Sequence, residues 1–91
     1  MSITVHLPAV LGRLADGQRA LKLDGQTVGD VVNDASTRYP QLAPRLKDEQ
    51  GQPYAFVTFY LNDDDIRLRE GFETPVSDGD ELTIVPAIAG G

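Results

Sequence analysis

The sequence offers little side-chain chemistry and one main-chain group worth pursuing. It has no cysteine and a single histidine, His6. A thiol nucleophile, a disulfide and a cysteine metal site are therefore excluded, and a histidine metal cluster or a Ser-His-Asp relay has too few parts. Phosphate loops of the G-x-x-x-x-G-K-[ST] and G-x-G-x-x-G types are missing. Asp63-Asp64-Asp65 opens like a calcium loop, but Leu68 and Thr74 stand where that loop needs glycine and glutamate, so the run reads as a solvated turn. Asp78, Asp80 and Glu81 read as turn residues before a strand, with an acidic rim for a partner as the functional alternative. What remains is Gly90-Gly91. The α-carboxylate of Gly91 is ionised at neutral pH and can attack a nucleotide phosphorus to form an acyl adenylate. Glycine lacks Cβ, so Gly90 and Gly91 can thread a narrow channel into a partner's active site. The competing structural reading is an ordinary frayed end.

Composition narrows the classes. A chain of 91 residues makes one domain, residues 1–91, and buries roughly 60% of its unfolded surface, which favours a binding or carrier role over an enclosed active site. The composition is 41% hydrophobic, with its glycines and prolines dispersed, as in an ordinary globular domain. A net charge of −6 repels phosphate backbones, which argues against nucleic acid and for a basic protein surface. The opening MSITVHLPAV has no basic segment leading into an apolar run, and no stretch approaches a membrane span. A cytoplasmic location, with no membrane partner, is expected.

The elements that position these groups follow from periodicity. Ile3, Val5 and Leu7 alternate with polar residues as in a half-buried strand, ended by Pro8. A loop around Ala15-Asp16-Gly17 leads to a second strand over Arg19–Leu23, giving an N-terminal hairpin. Val28, Val31, Val32 and Ala35 then mark one stripe of a helix, with Thr27 and Asp30 as a box-like start and Tyr39-Pro40 as the stop. Leu42 and Leu46 continue its apolar face, and Lys47–Tyr54 is a polar loop. Phe56–Leu61 is the strongest strand signal, with Val57, Phe59 and Leu61 on one side and Phe56, Thr58 and Tyr60 on the other. Ile66–Leu68 reads as a short edge strand and Leu82–Val85 as the last strand, followed by a flexible tail over 87–91. This order gives an α+β fold with one main helix across a mixed sheet, the first and last strands parallel at its centre: the ubiquitin-like β-grasp.

With Val57, Phe59 and Leu61 facing the core, Phe56 and Tyr60 fall beside His6, Thr83 and Val85 on the outer face. Phe56, Tyr60, Val85 and Ile88 are the candidate partner contacts, and cover by the loop Lys47–Tyr54 is the alternative. His6, on the polar side of its strand, reads as a surface histidine.

The run from Val76 through Asp78-Gly79-Asp80, the strand Leu82–Val85, Pro86 and Ala89-Gly90-Gly91 resembles the C-terminal signature of the ThiS/MoaD sulfur carriers. The I-x-V-x-L opening, the T-V-G-D helix start and the Tyr60-Leu61-Asn62-Asp63 segment extend the resemblance along the chain. It implies that Gly91 is adenylated by a separate ATP-dependent enzyme of the ubiquitin-activating type and converted to a thiocarboxylate. The carrier itself is then no enzyme; ATP, and any zinc, belong to the partner. The length and the Lys47–Tyr54 loop resemble the carriers of cysteine biosynthesis, which implies a cysteine synthase as sulfur acceptor and a metalloprotease that releases cysteine. The molybdopterin synthase small subunit, carriers of natural-product pathways and ubiquitin-like protein modifiers share the ending and stay open as alternatives.

Overall fold

The computed structural model describes residues 2–86. Five strands form one mixed sheet: β1 (Ser2–His6), β2 (Ala20–Asp24), β3 (Val57–Leu61), β4 (Asp64–Asp65) and β5 (Glu81–Pro86), in the order β2-β1-β5-β3-β4. β1 pairs antiparallel with β2, placing Ile3 opposite Leu23 and Val5 opposite Leu21. β5 lies parallel to β1 and antiparallel to β3. Parallel neighbours require a crossover, and everything between the first hairpin and the last strand supplies it.

Helix α2 (Val28–Arg38) crosses one face of the sheet. Its start is capped in a box-like way: the Thr27 hydroxyl accepts the Asp30 N–H at 3.1 Å, and the Asp30 carboxylate accepts the N–H of Gln26, the residue before the cap, at 3.1 Å. It ends at Tyr39, before Pro40, with the Tyr39 N–H still bonded to the Ala35 carbonyl. Val31, Val32 and Ala35 meet Val5, Leu23, Leu82 and Ile84 in the core. Leu42 and Leu46, both fully buried, close that core from a 3-10 turn (Pro40–Leu42) and the short helix α3 (Ala43–Leu46). On the other flank, Phe72 meets Phe59 edge-on at 5.4 Å. Gly29 permits this close approach, because a Cβ on it would sit 3.0 Å from the Phe72 carbonyl oxygen and the neighbour would have to give by a few tenths of an ångström.

Two local expectations change. The segment between β1 and β2 is not simply a loop: it contains the single-turn helix α1 (Ala9–Gly12) and a 3-10 turn (Arg13–Ala15), which bury Leu11 and Ala15. Ile66–Leu68 is not an edge strand. The two residues before it, Asp64–Asp65, pair with β3, while Ile66–Leu68 forms a 3-10 turn that drops Ile66 into the core. Asp65 causes the switch, since its carboxylate accepts the Arg67 N–H at 2.9 Å and pairs with the Arg67 guanidinium at 2.7 Å. Those Arg67 hydrogen bonds hold the Asp65 carboxyl below the usual carboxylate range.

Removing the cap while leaving the helix sequence otherwise intact isolates its contribution. Thr27→Ala is expected to cost about 1 kcal/mol, measured as a lower urea midpoint at unchanged slope.

Candidate functional site: the outer sheet face and the end of β5

The alternation that buries one face of each strand leaves a second face without a covering layer among the described residues. In β1, β3 and β5 the residues between the core positions are half-buried or exposed. Register assembles them into rows. Thr83 of β5 lies between His6 of β1 and Tyr60 of β3, and Val85 lies opposite Thr58. Tyr60, Thr83 and Val85 thus belong to one surface, as the candidate contacts require. Val85 is 44% exposed.

Phe56 lies outside its expected place in a strand. It sits in a turn just before β3, closed by the Val57 N–H donating to the Tyr54 carbonyl at 3.1 Å. Its ring meets Tyr54 edge-on at 5.4 Å, so the loop Lys47–Tyr54 touches Phe56 without covering it, and 60% of the residue stays exposed. Tyr54 itself packs against the core, which gives the exposed ring a fixed base.

Several polar groups at the edges of this surface bond to one another or to backbone. His6 Nε2 and Glu81 Oε1 are 2.6 Å apart across β1 and β5, both substantially exposed, which places His6 on the surface as expected. Asp78 accepts the Ser2 N–H at 3.0 Å and Asp80 accepts the Ser77 N–H at 2.8 Å. The Asp78–Asp80 turn therefore ties the start of β1 to the start of β5. Gly79 makes the turn possible with φ +88°, and its N–H donates to the Ser2 carbonyl at 3.0 Å. Asp64 is likewise occupied, by Arg69 at 2.9 Å.

At the far end of β5 the surface deepens into a hollow of about 320 Å³ lined by His6, Leu7, Pro8, Arg19, Thr83, Val85 and Pro86. Sequence reasoning did not single out Arg19, which reads as the unremarkable start of a strand. The candidates Ile88, Gly90 and Gly91, and the flexible tail expected over 87–91, lie outside the described residues. Among the described residues no helix is long and apolar enough to cross a membrane.

This topology, with a helix across a mixed sheet whose first and last strands run parallel at the centre, defines a ubiquitin-like β-grasp protein. The ThiS family matches residues 5–91, and the chain belongs to that family. It is 39% identical over 93 residues to the sulfur carrier protein CysO of Mycobacterium tuberculosis, an alignment spanning 100% of both chains. Among solved structures it resembles a chain of the Amycolatopsis orientalis BexX/CysO complex, at TM-score 0.91 and 37% identity over 98% of this chain and 99% of that one. The small archaeal modifier protein SAMP1 of Methanosarcina acetivorans is also similar, at TM-score 0.85 and 32% identity, covering 99% and 96% of the two chains.

Phe56 is exposed and Tyr60 half-buried on the side away from the core, so either can be replaced without harming it. Phe56→Asp and Tyr60→Asp are expected to unfold within about 0.5 kcal/mol and 1 kcal/mol of the parent respectively, while each weakens binding to an activating enzyme by tenfold or more, about 1.4 kcal/mol. Normal activation rates at low enzyme concentration in both variants would remove this surface from consideration.

Proposed function

We propose that this chain is a sulfur carrier, a protein co-substrate whose working group is the α-carboxylate of Gly91. The single observation that carries the reading is its membership of the ThiS family over residues 5–91, a match that includes the Gly90-Gly91 pair. The fold supports it physically. β5 is the central strand of the sheet, held by β1 on one side and β3 on the other, and the chain passes from it directly into residues 87–91. A group at Gly91 is thereby tethered to a rigid body with an uncovered face, which suits presentation to a partner enzyme.

The chemistry has two steps. The Gly91 carboxylate oxygen attacks the α-phosphorus of ATP on a separate activating enzyme, releasing pyrophosphate and leaving an acyl adenylate. A sulfur nucleophile then attacks the acyl carbon and AMP departs. When sulfide is the donor, this gives the thiocarboxylate directly. Gly90 serves access, because a side chain there would narrow the approach to the partner's channel. Nucleotide, and any zinc, are held by the partner.

Likeness to CysO supports cysteine formation as the destination of the sulfur, with a cysteine synthase as acceptor and a metalloprotease releasing the product. The existence of a CysO complex with BexX supports docking to a partner protein. The likeness to SAMP1 favours a second reading, a modifier joined through Gly91 to target lysines. Both readings share adenylation. Isopeptide conjugates recovered from cells by way of a tagged chain would favour the modifier.

Intact-mass measurement tests the carrier reading. Incubated with ATP, an active ubiquitin-activating-type enzyme from the same genome and sulfide, the chain is expected to gain the mass difference between sulfur and oxygen. A variant lacking Gly91 is expected to gain nothing. An unchanged mass for the full chain, with an enzyme active on another carrier, would contradict the reading.

A further inference from the structure

Arg19 is held in place where the β1–β2 hairpin begins, by main-chain and side-chain bonds to Leu7. Its backbone carbonyl accepts the Leu7 N–H at 2.8 Å, and its side-chain Nε donates back to the Leu7 carbonyl at 3.0 Å. Its stem lies over Gly12, where an added Cβ would come 3.2 Å from Arg19 Cδ and 2.8 Å from the Gln18 carbonyl oxygen. Glycine at that position opens the space that the stem occupies. The guanidinium is therefore positioned through one nitrogen, which leaves its terminal N–H groups for another acceptor.

No such acceptor is found among the described residues. Arg38, Arg67 and Arg69 each pair with an aspartate, whereas Arg13, Arg19 and Arg45 make no ion pair there, and of these three Arg19 is the one whose guanidinium is held by a side-chain hydrogen bond among the described residues. An exposed arginine is ordinarily a mobile one, and ordering it costs side-chain entropy on binding. Here the fold has already met part of that cost. The guanidinium lines the same hollow as His6, Thr83, Val85 and Pro86, so it continues the outer sheet face at the end where β5 finishes.

We infer that Arg19 is a specificity anchor that receives an aspartate or glutamate carboxylate of the activating enzyme, docked in the hollow beside the end of β5. This deepens the carrier reading and rests on it. A planar fork of N–H donors matches the two oxygens of a carboxylate, and lysine cannot reproduce that geometry. The apolar flank formed by Val85 and Pro86 fits a protein side chain and shields the pair from water, which strengthens it. The inference also refines the expectation from net charge: the partner need not be uniformly basic, because it meets a fixed cation at this end of the sheet.

The test is calorimetric titration of the chain with the enzyme that adenylates it, nucleotide omitted so that binding alone is read. Arg19→Gln is expected to weaken binding about tenfold and to flatten its salt dependence, and Arg19→Glu to weaken it further. Arg19→Lys, which keeps the charge and loses the fork, is expected to fall between the parent and Arg19→Gln. Thermal unfolding of each variant guards against misfolding. If Arg19→Glu does not fold, Arg19→Lys decides the matter, and parental affinity in it overturns the anchor. Affinity within twofold of the parent for a folded Arg19→Glu also overturns the anchor and leaves the carrier reading standing. A parent chain that no activating enzyme adenylates overturns both.

Discussion

Parallel pairing of β1 with β5 at the centre of the sheet is the interaction on which the other features depend. Thr4, Val5 and His6 lie beside Glu81, Leu82 and Thr83, with the Thr4 N–H bonded to the Asp80 carbonyl at 3.0 Å. The Asp78–Asp80 turn brings the two strands into register by binding the Ser2 amide and carbonyl. Because the strands are parallel, the segment after β5 leaves from the same end as the segment after β1. That shared end is where Leu7, Pro8, Arg19 and Pro86 meet around the hollow. A chain with antiparallel first and last strands would carry its last residues to the acidic turns instead.

Burial makes the arrangement one-sided. Val5, Leu82, Ile84 and Phe59 face the helix layer and are almost wholly buried, whereas Tyr60, Thr83 and Val85 alternate with them and face outward. A one-residue slip in β5 would exchange the two sets, so the same apolar pattern that holds the core also specifies the outer surface. Fold and outer face are thus set by one register, and core substitutions in β5 will bear on both.

Much of this was legible in the sequence, for identifiable reasons. Strict alternation in β1 and β3 and the helical stripe Val28-Val31-Val32-Ala35 are strong periodic signals. Thr27 and Asp30 mark the helix start with chemistry that the capping bonds reproduce. Less was legible where tertiary contacts decide local conformation. Ile66–Leu68 looks like a strand because Ile66 and Leu68 alternate, yet Asp65 bonds the Arg67 amide and turns the chain after two paired residues. The segment 9–15 is too short for helical periodicity to show.

The candidate surface was partly legible. Strand parity placed Phe56, Tyr60, Thr83, His6 and Val85 together, but Phe56 lies in a turn before β3 and not in the strand, because Tyr54 fixes that turn through a carbonyl bond and an edge-on ring. Arg19 carried no signal at all, since its meaning comes from Leu7 and Gly12 in space. The proposed docking sets the outer face and the hollow at the end of β5 against an activating enzyme. Amide chemical-shift mapping of the labelled chain during titration with that enzyme tests it most directly. The account predicts shifts concentrated at His6, Arg19, Tyr60, Thr83 and Val85; shifts confined to α2 and the Asp78–Asp80 turn would contradict it.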